Sequence, residues 1–189
     1  MIKLEDVYYT PEELLKIGFE EVGDDVLISR KTSIYMPEKM KIGNHVTIDD
    51  YTFLSGNIII GNYVHISSFC ALYAGHTGIE FDDFSGMSAN SIIYAISDDY
   101  SGEFMVGACA PVKHRNVIKK KVYIGKHAIL GTGTTVLPGG ELGEGSVVGA
   151  NSLVKKPLET WGIYAGSPCK KIKDRSKKCL KLGKEITNE

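Results

Sequence analysis

An aliphatic residue returns every six positions through two long stretches of the chain. Ile42, Ile48, Leu54, Ile60, Ile66 and Leu72 form the first series, and Ile124, Leu130, Val136, Leu142, Val148 and Val154 the second. A helix buries one face at a spacing near 3.6, and a hairpin sheet alternates with period two, so neither produces this pattern. A solenoid does. Each hexad is one short flat strand ending at a corner, its aliphatic side chain turned inward, and three hexads complete one turn of a triangular prism. Successive turns hydrogen-bond about 4.8 Å apart. Gly and Asn, as in Gly43-Asn44 and Gly61-Asn62, supply the backbone freedom expected at corners.

The frame extends to Val22, Ile28 and Ile34 before the first series and to Phe81, Met87 and Ile93 between the two, which makes eighteen hexads, or six coils. Extra residues then fall at Met40 and Lys41 after the first coil, at Gly78 to Glu80 after the third, and at 99–123 after the fourth. All follow complete coils, so they decorate one edge of the prism. A loop longer than about 15 residues in a compact domain is usually functional. On this reading Glu80 enters the decorated corner, and Asp98 and Asp99 leave it roughly one coil away. Repeat proteins cap their open ends. Thr10-Pro11-Glu12-Glu13 reads as an N-cap, a first-turn proline and a capping-box glutamate, with Gly18 as the stop. Asp174 to Lys184 reads as a basic helix. The expected organisation is a helical cap over 1–21, an all-β solenoid over 22–160 carrying the loop 99–123, and a basic arm and helix over 161–189.

With 43% hydrophobic and 24% charged residues the chain has the composition of a globular protein. No apolar run approaches the roughly 18 residues of a membrane span, and MIKLEDVYYT lacks the blocks of a signal peptide, so a cytoplasmic location is expected. Cys70, Cys109, Cys169 and Cys179 are dispersed and form no CxxC, which points to reduced thiols. Residues 170–189 hold eight Lys or Arg against three acids, a solvated helix face or a meeting point for an anion.

Lys113-His114-Arg115 and Lys119-Lys120-Lys121 in the long loop offer donors to a diphosphate. His76 replaces the usual small residue beside a corner insertion, where an imidazole serves as a general base or as a corner hydrogen bond. His45, His65 and His127 read as exposed wall residues, and no histidine pair suggests a metal.

The hexads, together with the closing segment Tyr164-Ala165-Gly166-Ser167-Pro168-Cys169-Lys170-Lys171-Ile172, resemble the hexapeptide-repeat acyltransferases. The resemblance implies a left-handed parallel β-helix; the handedness comes from it and not from spacing. Leu72-Tyr73-Ala74-Gly75, Gly78-Ile79-Glu80, Tyr94-Ala95-Ile96, Asp98-Asp99-Tyr100-Ser101-Gly102 and Trp161-Gly162-Ile163-Tyr164 are most similar to the N-acyltransferases of nucleotide-linked amino sugars. That group implies an acyl-CoA donor, a dTDP-linked amino-dideoxyhexose acceptor and a homotrimer with sites between subunits, with no metal, nucleic acid or membrane involved. In such a reaction the sugar amine attacks the thioester carbonyl, a base takes the proton, and backbone N–H groups hold the oxyanion. Asp98 is the first candidate for the base, followed by Glu80 and His76. Ser88, Asn90, Asp99, Lys113 and Arg115 are candidates for holding the sugar nucleotide. Gly131, Gly133 and Gly149 are expected to leave backbone open to the pantetheine arm, with Lys155, Lys156, Lys170 and Lys171 near the CoA phosphates. O-acetylation of a sugar or antibiotic through His76 is the alternative on the same scaffold. Zinc-dependent hydration of carbon dioxide, or a non-catalytic scaffold or RNA-binding role for the basic tail, are the alternatives from other classes; no aromatics interleave those lysines.

Overall fold

The computed structural model describes residues 4–186. The hexads build three parallel walls. Wall A stacks Ser33–Tyr35, the first half of Phe53–Ile60, the first half of Ala71–Phe81, Ile92–Tyr94, Thr135–Val136 and Leu153–Val154. Wall B stacks Glu21–Val22, Met40–Ile42, the second halves of the same two long strands, Val122–Ile124, Glu141–Leu142 and Pro157–Leu158. Wall C stacks Leu27–Ile28, Thr47–Ile48, His65–Ile66, Gly86–Met87, Ile129–Leu130, Val147–Val148 and Gly162–Ala165. In register, Ile28 lies on Ile48, Ile48 on Ile66 and Ile66 on Met87. Ile28, Ile48, Leu54, Ile66, Leu72, Ile93, Leu130 and Val136 are completely buried, each contributing about 1.5–3 kcal/mol of transfer free energy.

Two features of the count change. A partial seventh turn, Pro157–Leu158 and Gly162–Ala165, follows the six expected. Its inward Leu158 and Tyr164 keep the hexad spacing, but only four positions separate Val154 from Leu158, and this short corner hides the turn from a periodic search. The decorated edge is the corner between walls A and B, as expected, but its bounds differ. Met40, Lys41, Glu80 and Tyr123 are wall strand residues, with Met40 opposite Ile58 and Glu80 opposite both Ile59 and Tyr123. The detours are the 3-10 turn Pro37–Lys39, the bend at Gly75–Gly78 and the segment 96–121. Counting places spare residues just before the next inward aliphatic, whereas pairing with the turn below draws those residues into the wall.

The glycines that follow the inward aliphatics are there for close approach. A Cβ on Gly43 would lie 2.7 Å from the Gly61 backbone, and one on Gly131 would lie 2.7 Å from the backbone of Val148 and Ala150. Glycine takes the left-handed corners at Gly133, Gly139 and Gly145, but most such positions are held by other residues, among them His45, Tyr63, Phe84, His127 and Trp161 between walls B and C, and Tyr51, Phe69, Asn90 and Asn151 between C and A. A left-handed non-glycine residue costs about 1–2 kcal/mol. Ring stacking offsets part of that by about 0.5–1.5 kcal/mol per pair: centroids are 4.5 Å apart for His45–Tyr63, 4.8 Å for Tyr63–Phe84 and 5.1 Å for Phe84–His127. His127 is therefore a buried corner residue, 8% exposed, rather than the exposed wall residue expected.

Helices α1 (Leu4–Val7) and α2 (Pro11–Ile17) cover the first turn. The capping box forms as expected: Thr10 Oγ1 accepts from the Glu13 amide and Glu13 Oε2 accepts from the Thr10 amide at 2.8 Å, and Gly18 closes α2 at φ 89°. At the other end Lys170–Asp174 adds antiparallel to Gly162–Ala165, so α3 (Cys179–Ile186) starts later than the basic run suggested. Arg175 Nη1 donates to the carbonyls of His127 at 2.7 Å and Gly145 at 3.0 Å, and the Arg175 and Lys177 cations lie over the Trp161 ring. Part of the basic tail thus fastens the arm to the B–C corner.

Candidate active site

The long excursion is an ordered structure. It leaves wall A after Tyr94 as the strand Ile96–Asp98, which pairs antiparallel with the returning strand Val117–Lys119, and Lys120 rejoins the prism through a hydrogen bond from its amide to the Ala95 carbonyl. Gly75 is required directly beneath: it takes φ +55°, and a Cβ there would come 2.9 Å from the Ile96 side chain. The tip folds back so that the Met105 amide donates to the His114 carbonyl.

Between this ribbon and wall A lies a cavity of about 540 Å³ that includes Tyr73, Tyr94, Asp98, Tyr100, Arg115 and Leu137 in its lining. Its floor continues a ladder of outward-facing rings on wall A, Tyr35–Phe53–Tyr73–Tyr94, with centroids 5.2, 5.0 and 4.9 Å apart. Burial pushes the Tyr94 phenol above its ordinary value. Asp98 Oδ2 accepts the Gly107 amide at 3.0 Å, and Oδ1 has no hydrogen-bond partner among the described residues. Arg115 Nη1 donates to the Gly107 carbonyl at 3.4 Å.

The three candidate bases share the decorated corner but are not brought together. Asp98 alone lines the large cavity. Glu80 is half-buried and paired with Lys121 at 2.5 Å. His76 Nδ1 stands 3.3 Å from Lys39 Nζ in a separate hollow of about 240 Å³ with Glu20 and Asn57. Asp99 turns away from the cavity chemistry. Its Oδ1 accepts the Ser101 amide and its Oδ2 accepts Asn116 Nδ2, both at 2.7 Å, and these hydrogen bonds, the Ser101 amide first, hold its carboxyl below the usual range. Lys113 is exposed on the 3-10 turn Val112–His114, while its neighbour Arg115 reaches the cavity. Ser88 and Asn90 sit at the C–A corner, at the opposite edge of the wall that carries Ile92–Tyr94, and neither lines the Asp98 cavity.

On the later coils, Lys156, Lys170 and Lys171 line a hollow of about 380 Å³ with Leu158, Glu159, Tyr164 and Cys169. Lys171 is committed to Glu159 at 3.5 Å and Asp174 at 2.9 Å. Lys155 is exposed outside this hollow. Gly131, Gly133 and Gly149 each face the next turn closely: a Cβ on Gly133, which also takes φ +71°, would collide with Asn151 Oδ1, and one on Gly149 would meet the Ala165 Cβ at 3.2 Å. All four cysteines are free thiols, and burial raises Cys70 to about 11. Among the described residues no group of three His, Cys, Asp or Glu side chains stands close enough to hold a metal ion, and no helix is long and apolar enough to cross a membrane.

Tyr73, Tyr94, Leu137 and Gly107 were not singled out from sequence as site residues. A signal for the first two exists, because an aromatic recurs once per coil beside an inward aliphatic at Tyr35, Phe53, Tyr73 and Tyr94. Leu137 and Gly107 carry no such signal.

No protein-family profile matches the chain. A dTDP-4-amino-4,6-dideoxy-D-glucose acyltransferase from Escherichia coli is 38% identical over 178 residues, covering 93% of this chain and 92% of the relative. Crystal structures of AntD, an N-acyltransferase from Bacillus cereus, match 96% of this chain and 97% of that one with a TM-score of 0.95 and 46% identity. AntD has been solved with dTDP and 3-hydroxybutyryl-CoA, and serine variants of it with dTDP-4-amino-4,6-dideoxyglucose and coenzyme A. Its structures include replacements of one serine by Thr, Cys or Ala and of one aspartate, ten positions further along, by Asn or Ala.

Proposed function

Since this chain belongs to the hexapeptide-repeat acyltransferases with a left-handed β-helix that act on dTDP-linked amino sugars, we propose that it joins an acyl group from acyl-CoA to the amine of a dTDP-linked amino-dideoxyhexose with Asp98 as the base. One observation carries the assignment of Asp98. It lines the loop-covered cavity, and with Ser88 it makes the one serine–aspartate pair in this sequence separated by ten positions, the separation of the two residues replaced in AntD.

The amine nitrogen attacks the thioester carbonyl carbon and a tetrahedral adduct forms. Asp98 takes the proton that the nitrogen sheds, the C–S bond breaks, and the proton passes on to the CoA sulfur, leaving an amide and free thiol. No covalent enzyme intermediate is needed. The Tyr73 and Tyr94 rings give the sugar an apolar floor, and Arg115 supplies a cation on the same side. Glu80 and His76 lie outside this cavity and serve the corner around it. Lys156 and Lys170, which have no ion-pair partner among the described residues, attract the CoA phosphates, with Lys155 beside them.

The assembly in this reading is a homotrimer. Ser88 and Asn90 stand at one edge of wall A and Asp98 at the other, so a site that uses both edges is closed by a neighbouring copy, and threefold closure satisfies such a head-to-tail contact without growing a filament. The setting is cytoplasmic, in the biosynthesis of a surface polysaccharide such as lipopolysaccharide, where nucleotide-linked sugars are built. Thiol release across a panel of acyl-CoAs and dTDP-linked amino sugars tests the activity. Release that requires the amino sugar supports it, and release that is equal with the corresponding hydroxyl sugar points to O-acylation instead. A monomeric mass in solution contradicts the shared site.

A further inference from the structure

Among the described residues, one hydrogen-bond donor reaches the Asp98 carboxylate: the amide of Gly107, nine positions along the excursion. We propose that Gly107 is a positioning residue for the acyl transfer, its N–H fixing the Asp98 carboxylate so that Oδ1 is presented to the sugar amine; this rests on the assignment of Asp98 as base. The geometry is specific to glycine for a conformational reason and not a steric one. Gly107 takes φ +85°, yet a Cβ added there would meet nothing within 4 Å. The loop therefore has room for a side chain and excludes one only because an L-residue resists this backbone angle. The tip is held in that angle from the other side, since Arg115 Nη1 donates to the Gly107 carbonyl and Arg115 bridges to Met105. No ion pair joins Arg115 to Asp98 within 4.0 Å among the described residues, so Arg115 acts on the base through Gly107. Fixing a carboxylate plane matters because a displacement of about 1 Å at a reacting group can cost about 100-fold in rate.

The test is a series at one position. Gly107→Asn, Gly107→Ala and Gly107→Val increase in resistance to positive φ, Asn being the residue after glycine that most readily adopts it. Turnover by thiol release is expected to fall in that order, with Gly107→Val lower by about 10- to 100-fold. The KM for acyl-CoA should stay close to wild type and the Tm should fall by only a few degrees, the backbone cost at one open loop position, because no packing is disturbed. In an Asp98→Ala background the same three changes should cost nothing further, the mark of two residues acting as one unit. The hydrogen bond also has a readout free of activity: in glycine-selective ¹⁵N spectra of the full chain, the Gly107 amide proton should be shifted downfield and protected from exchange, and lose both in Asp98→Ala. Full turnover in Gly107→Val, equal losses in the two backgrounds, or a Gly107 amide indifferent to Asp98→Ala would each overturn the proposal. Absence of thiol release from wild type with every amino sugar would instead overturn the acyl-transfer reading, while the amide measurement still decides the contact.

Discussion

Replacing Asp98 by Asn isolates proton acceptance from placement. The asparagine carbonyl oxygen can still accept the Gly107 amide that Asp98 Oδ2 accepts at 3.0 Å, so the side chain stays anchored. What is lost is the negative charge facing the cavity. A missing general base lowers turnover by about 10²- to 10⁴-fold, equivalent to about 2.7–5.4 kcal/mol in the barrier. Stability changes far less, because one hydrogen bond passes from charge-assisted to neutral at a cost of about 1 kcal/mol, or about 2–4 °C in Tm for a chain of this length. Initial rates of thiol release at saturating acyl-CoA, with the acceptor titrated, separate kcat from KM. Residual activity should climb with pH as more of the sugar amine is unprotonated in solution. Glu80→Gln breaks a half-exposed pair with Lys121, worth at most about 1 kcal/mol, and His76→Ala removes one contact with Lys39, so both should keep most of their turnover. Turnover of Asp98→Asn within about twofold of wild type at neutral pH would refute the reasoning. An inactive His76→Ala beside an active Asp98→Asn would move the chemistry to the imidazole and to a hydroxyl acceptor.

Replacing Lys155 and Lys156 together by Ala should raise the KM for acyl-CoA several-fold and leave the acceptor KM unchanged; the opposite pattern would put the two ligands at exchanged ends of the prism. Burial holds the His127 imidazole below its ordinary range, so the unfolded chain binds a proton that the fold resists. Stability present above about pH 6.5 is therefore lost as pH falls toward and through the folded value, and His127→Phe, which keeps a ring beside Phe84, should lose less Tm than wild type between neutral pH and pH 5, as thermal scans would reveal. A Cβ on Gly145 would lie 2.5 Å from the Trp161 ring. Gly145 also takes φ +65°, so Gly145→Ala should destabilise by about 1–3 kcal/mol through overpacking on top of a backbone cost of about 1 kcal/mol, whereas Gly18→Ala, open on all sides at φ +89°, should carry the backbone cost of about 1 kcal/mol alone; equal Tm losses in the two would contradict the packing account.

The fold was legible because a solenoid repeats one local decision. An inward aliphatic every sixth residue from Ile42 to Leu72 and from Ile124 to Val154 can be buried in only one way, and the capping box at Thr10 and Glu13 declares its own geometry within four residues. Sequence also located the corner that carries the excursion and placed Asp98 upon it, since insertions interrupt a period visibly. Other features depend on what stands one turn away. The exact bounds of the detours followed from pairing across coils, as Met40 and Glu80 were drawn into wall B. The corner role of His127 required Phe84 and Trp161 from neighbouring turns. Most of all, little in the local sequence separates Asp98 from Asp99 beyond the serine two positions after the latter. Adjacent residues on a strand point to opposite sides, and only the folded excursion decides that Asp98 meets the cavity and Gly107 while Asp99 spends both oxygens on Ser101 and Asn116. Periodic burial is written into each hexad, whereas the contacts that part these two corner side chains, Asp98 with Gly107 and Asp99 with Asn116, come from residues 9 and 17 positions away, which meet them only when the loop folds back.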